Sequence, residues 1–157
     1  MVTSPGFVSV LNGQHLGVRL VTDVFSDVGP LGGIHAGLLA AQGRYGVVVG
    51  CDMPFLNQEL LEYMIEMRAG YDIVIPRMAG LLEPLHAVYS KDCTSIIERH
   101  VQQGRMGVHE LLQAMRVRYV EEEEVDRFDP KHMSFFNVNS DVDMKRARKL
   151  AKREDRC

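Results

Sequence analysis

The sequence has no apolar run approaching the ~20 residues that a bilayer crossing needs. Its first ten residues, MVTSPGFVSV, lack a basic n-region and an apolar h-region, so no secretory signal is expected. Cysteine is scarce. The three present, Cys51, Cys93 and Cys157, are far apart, odd in number and form no CxxC pair. That excludes a disulfide framework and points to a reducing cytoplasm. No charge of one sign dominates. The formal net charge of −3 implies no general affinity for nucleic acid. Internal repeats and low-complexity linkers are absent too. What is there suits one globular domain over residues 1–157, with 46% hydrophobic and 25% charged residues.

The chain is organised around Val47-Val48-Val49-Gly50-Cys51-Asp52-Met53-Pro54-Phe55-Leu56. A short run of β-branched residues reads as a buried central strand of a parallel sheet. It stops at one carboxylate, Asp52, and Pro54 prevents the ladder from continuing. Ligands of open α/β sheets bind beyond the carboxyl ends of the strands. Asp52 is therefore a functional candidate, with a helix cap as its plainer role. Val18–Thr22 reads as a second strand that also ends on an acid, Asp23. Gly29-Pro30-Leu31-Gly32-Gly33 then opens a small-residue helix over Ile34–Ala41. Such a loop offers backbone N–H groups and a positive helix end to an anionic ligand. It serves equally as a tight turn that lets helix and strand pack closely.

The remaining pattern alternates. Phe7–Leu16 is a weak helix. Asn57 caps a helix whose Leu60, Leu61, Met64 and Ile65 form a core stripe. Asp72–Pro76 is a strand, and 77–80 is turn-like. LEPLHAVY, 82–89, is a strand interrupted by Pro84, near an edge or a bulge, and plausibly antiparallel. Ser90 caps a helix over Lys91–Gln103. Val108–Met115 is a short helix, and Arg116–Val120 a strand. Glu121–Glu124 reads as solvated surface, and Phe135–Ser140 as a short apolar strand ending in amides. Ser140 with Asp143 opens a charged C-terminal helix. Together these give an α/β three-layer sandwich with a mostly parallel twisted sheet.

These motifs, in order, carry a resemblance. A strand ends on Asp23. Gly29-Pro30-Leu31-x-Gly33 opens a helix, and Cys51-Asp52-Met53-Pro54-Phe55-Leu56 closes a strand. Then come Glu83-Pro84-Leu85-His86-Ala87-x-Tyr89 and Asn137-Val138-Asn139-Ser140. The chain resembles the molybdenum cofactor guanylyltransferase family, of the nucleotide-diphospho-sugar-transferase-like, Rossmann-like fold. The resemblance implies transfer of GMP from GTP to molybdopterin, with magnesium, release of pyrophosphate and contacts with other molybdenum cofactor biosynthesis proteins. It implies that Asp52 holds the metal and that Asp23 helps hold the guanosine. Gly29, Pro30, Leu31 and Gly33 would line the nucleotide cleft. Asn137 and Asn139 would lie on the acceptor side, with His86 near them. As a bare histidine on a strand, His86 is otherwise a hydrogen-bonded core residue.

The family's N-terminal loop, resembling LAGGxSxRMG, has no counterpart in this sequence, and no lysine precedes Lys91. The resemblance thus implies a chain that begins at the family's second strand, with Val2-Thr3-Ser4 in its place. Truncation or natural loss would each explain this, and exposed apolar surface disfavours loss. Transfer of CMP to molybdopterin or of a nucleotide to another acceptor, and a noncatalytic nucleotide-binding or partner protein, remain the alternative readings.

Overall fold

The computed structural model describes residues 2–3, 19–25 and 27–154. The helix expected over 7–16 lies outside them, as does Cys157. Strand β1 (Val2–Thr3) pairs parallel with β2 (Val21–Thr22). The strand expected over Val18–Thr22 is shorter: Arg19 and Leu20 are outside the ladder, which holds only Val21 and Thr22. Helix α1 (Pro30–Ala40) follows, then β3 (Tyr45–Val49), α2 (Gln58–Glu66) and β4 (Ile73–Met78). Next come β5 (Leu81–Leu82), β6 (His86–Ser90), α3 (Cys93–Gln102), α4 (Val108–Ala114) and β7 (Val117–Glu121). The chain closes with α5 (Glu122–Val125), a 3-10 turn (Met133–Phe135) and α6 (Asp141–Glu154). Among the described residues, no helix is long and apolar enough to cross a membrane.

The larger sheet runs β3-β6-β4-β7. β6 is antiparallel to both β3 and β4, and β4 is parallel to β7. β3, β4 and β7 therefore point the same way, and their carboxyl ends share one edge. β5 and β6 lie along the same side of β4 and form one antiparallel strand, broken at Glu83-Pro84-Leu85. The break is a bend rather than a sheet edge. Pro84 falls where no ladder N–H is needed, so β6 stays in the middle of the sheet with all five residues buried.

Helices cover both faces. Leu31, Ile34 and Leu38 of α1 pack with Ile97 of α3 and Leu111 of α4 against Ile73, Ile75, Ala87 and Tyr89. Leu60 and Met64 of α2 pack with Val125 against Val74, Val88 and Val120. This is the expected three-layer sandwich, and the Leu–Met stripe of α2 is core as its spacing requires. At ~25 cal/mol per Å² of apolar area, the two packed faces supply the main stabilising term.

Three expectations change. β3 is not a buried central strand: among the described residues only β6 pairs with it, and Val47 and Val49 are 41% and 38% exposed. Its alternation turns Gly46 toward Leu38 of α1 and leaves Val47 and Val49 facing outward. Phe135–Ser140 is not a strand. Asp129 takes the N–H groups of Met133 and Ser134 and winds the chain into a turn, after which it runs extended. Glu121–Glu124 is not merely solvated. Arg77 holds Glu121, while Glu124 bonds Tyr63 and Arg118 and completes a capping box with Glu121.

Candidate active site

Asp52 sits in the turn that follows β3. Gly50 N–H donates to Leu85 C=O at 2.8 Å, and Met53 N–H to Gly50 C=O at 3.3 Å. The turn is pinned from below by the buried Met53 side chain. The Asp52 carboxylate folds back over the strand end. A Cβ at Gly50 would stand 2.6 Å from Asp52 Oδ1, so this geometry requires glycine there. Asp52 does not cap α2. Asn57 does, its Oδ1 accepting Leu60 N–H at 2.9 Å. Among the described residues the Asp52 carboxylate has no hydrogen-bond or ion partner. It is half-buried.

The amide motif reaches the same place through the backbone. Val138 N–H donates to Asp52 C=O at 2.9 Å. Asn137 and Asn139 flank that bond, exposed, with side chains unengaged among the described residues. Phe55 meets Phe136 edge-to-face at 5.9 Å. An open groove of about 500 Å³ lies alongside, lined by Pro54, Phe55, Asn57, Asp129, Lys131 and Met133.

The glycine loop is in fact the start of α1. Gly29 is its N-cap with φ 59°, and Pro30 occupies the first turn, where its missing N–H costs nothing. Leu31 is fully buried in the core, so only its backbone can face a ligand. Around Gly33 a Cβ would find open space. The close approach belongs to Gly32, which the motif reading passed over. A Cβ there would stand 3.1 Å from Phe25 O and Val28 Cγ2, and 3.5 Å from Asp23 Oδ2. Gly32 thus lets the first turn of α1 settle onto the Asp23 carboxylate. Asp23 Oδ1 is buried without a partner, an orphaned acceptor beside a helix start.

His86 is placed differently from a ligand-facing group. It is fully buried, and neither ring nitrogen has a partner. Its ring lies against Phe135 at 4.9 Å. Burial pushes its pKa down to about 4 from the ordinary 6.5, against the opposing pull of Asp129. The imidazole is therefore neutral and supports the 133–139 segment from beneath. Two groups had no signal in the sequence. His35, buried in α1, shares a 2.9 Å contact from Nε2 with Glu98 and a 4.9 Å ring contact with Phe25. Glu83 is half-buried in the bend next to the Asp52 turn, and burial alone raises its pKa.

No group of three His, Cys, Asp or Glu side chains suited to a metal occurs among the described residues. An unpaired, half-buried carboxylate at a sheet edge nevertheless fits magnesium, which takes one or two protein carboxylates and otherwise phosphate and water.

A family profile described as MobA-like NTP transferase domain matches residues 3–122. The chain belongs to this family. It is 43% identical over 140 residues to a probable molybdenum cofactor guanylyltransferase of Pelotomaculum thermopropionicum, spanning 89% of this chain and 68% of that protein. It is 40% identical over 129 residues to a molybdenum cofactor guanylyltransferase of Desulfosudis oleivorans, spanning 82% and 64%. The chain thus spans about two thirds of the length of these MobA-like relatives. The crystal structure of molybdopterin-guanine dinucleotide biosynthesis protein A from Archaeoglobus fulgidus superimposes with a TM-score of 0.81 at 30% identity, covering 97% of this chain and 77% of that one.

Proposed function

We propose that this chain performs the nucleotidyl-transfer chemistry of a molybdenum cofactor guanylyltransferase: GMP passes from GTP to the phosphate of molybdopterin, and pyrophosphate leaves. An acceptor phosphate oxygen bonds to the α-phosphorus as the bond to the bridging oxygen of pyrophosphate breaks. No covalent protein intermediate is needed, so the protein's part is positioning and charge.

The observation that supports this best is the bond from Val138 N–H to Asp52 C=O. It fixes the unpartnered Asp52 carboxylate beside Asn137 and Asn139. In this reading Asp52 holds magnesium, which when bound neutralises phosphate charge. Asp23 accepts hydrogen bonds from the nucleoside. Gly29, Pro30, Leu31 and Gly33 present the backbone and positive end of α1 to it. Asn137 and Asn139 offer a donor and an acceptor each to the pterin edge or phosphate. His86 acts on that side through Phe135. A cytoplasmic location suits the free thiols of Cys51 and Cys93, and other proteins of the same cofactor route would supply the acceptor.

The test is calorimetric titration with Mg-GTP and with Mg-CTP. GTP binding is expected to be magnesium-dependent and stronger than that of CTP. Equal or tighter CTP binding overturns the guanylyl assignment. In Asp52→Ala the magnesium dependence should vanish while the fold is kept. An unchanged dependence removes Asp52 from the metal role.

A further inference from the structure

Two segments far apart in sequence form the acceptor side: the turn 51–57 and the segment 126–139. They are joined by more than the Asp52–Val138 bond. Asn57 N–H donates to Ser134 Oγ at 3.2 Å, and Asn57 Nδ2 to Phe128 C=O at 3.0 Å. Ser134 is fully buried, and its own N–H donates to Asp129 Oδ2 at 2.7 Å. The other oxygen of Asp129 takes Met133 N–H at 3.0 Å, and Asp129 is only 6% exposed. The remaining side-chain oxygen of Asn57 caps α2. Every one of these bonds involves a side chain and a backbone group. Together they set the height of one loop against the other.

We infer that Ser134, held by Asp129 and gripped by Asn57, is a positioning residue that fixes Asn137 and Asn139 relative to Asp52 for the acceptor. The physical reason is register. Ser134 is the middle residue of the 3-10 turn Met133–Phe135, from which the chain runs extended to Asn137, three residues on. A shift at Ser134 therefore passes to both asparagines. Phe135 on His86 and Phe136 on Phe55 are apolar ring contacts, which tolerate sliding. Directional hydrogen bonds do not, so they define the position while the rings supply the contact area. A site held on such buried partners keeps its geometry before the ligand arrives. None of these three side chains needs to touch the substrate.

The inference rests on Asn137 and Asn139 facing the acceptor, and the experiment separates the two. Molybdopterin binding is followed anaerobically by pterin fluorescence, Mg-GTP binding by calorimetry, and amide exchange by mass spectrometry. In Ser134→Ala the molybdopterin dissociation constant should rise about tenfold, with Mg-GTP affinity unchanged. Exchange should quicken in 55–57 and 134–139 while β4 and β7 keep wild-type protection. Asn57→Asp, which keeps the cap but sets a carboxylate oxygen where Nδ2 bonds Phe128 C=O, should give the same pattern and serves if Ser134→Ala does not fold. Unchanged acceptor affinity and unchanged local exchange overturn the inference. So does a loss spread equally over both ligands and over β4 and β7, which marks a merely structural role. Failure of the acceptor reading looks different: Asn137→Ala with Asn139→Ala then leaves molybdopterin binding intact, and the exchange pattern still judges the clamp.

Discussion

Gly50 and Asp52 act as a pair. The carboxylate occupies the space that any side chain at 50 would fill. Gly50→Ala is expected to push it aside and reduce magnesium-dependent transfer by about tenfold. The melting temperature should barely move, because the added methyl would meet only the end of a short, half-buried side chain; a full-activity Gly50→Ala protein would contradict this. His86 makes the opposite kind of statement. Folded, it stays neutral down to about pH 4; unfolded, it charges near 6.5. Between those values the unfolded chain binds more protons, so stability is flat above about pH 6.5 and falls as pH drops toward 4. The whole contribution is of order 3 kcal/mol. His86→Leu should flatten that part of a pH series of urea denaturations. It should also raise stability at pH 5, since two orphaned nitrogens are replaced by an apolar group. Glu83 has the reverse sign. Its raised pKa is a cost present at neutral pH and relieved as pH falls through the raised value. Glu83→Gln should therefore raise the melting temperature at pH 7, with the gain shrinking on acidification.

At the scale of elements, the short acidic helix α5 shows where pattern and structure part. Four successive glutamates read as a solvated face. Yet Glu124 closes a capping box, bonds Tyr63 and pairs with Arg118 across the end of β7. Glu124→Ala is expected to cost about 2 kcal/mol, the sum of a lost cap and an unsatisfied partly buried partner. Glu123→Ala should cost nothing measurable. Equal effects in a chemical denaturation series would show that α5 is held by packing alone. Where the chemistry is local, the sequence carries it. Asn57 before α2 and Ser140 with Asp143 before α6 are caps that a short window reveals. The place of β6 is not local. Whether a strand broken by Pro84 lies at an edge or in the middle depends on which strands flank it, and no window of residues contains that information. The same holds for Gly32. Its neighbour Gly33 looks identical in sequence, and only the approach of Phe25 and Val28 tells them apart.

Over the whole molecule, the sandwich followed from the alternation of strands and helices, whereas the strand that ends on Asp23 pairs only with β1 among the described residues, in a sheet apart from that of β3, β4 and β7. The clamp between Asn57, Ser134 and Asp129 was not legible, because Asn57 lies more than seventy positions from the other two and no periodicity links them. The expectation for β3 failed for a related reason. A β-branched run records a preference for pleated structure, and it does not record how many neighbours the strand will find.

That exposed flank of β3 has a colloidal consequence. Tyr45–Val49 has one strand partner among the described residues, and Val47 and Val49 are partly exposed on one of its faces. A strand of this kind is a template on which further chains can add. Light scattering at rising concentration should register slow growth of large species, accelerated by salt that screens the net charge. Val47→Lys should suppress that growth at little cost in stability, as a charge on an edge strand does. The same five residues that deliver Asp52 to the sheet edge thus set how concentrated this protein can be kept.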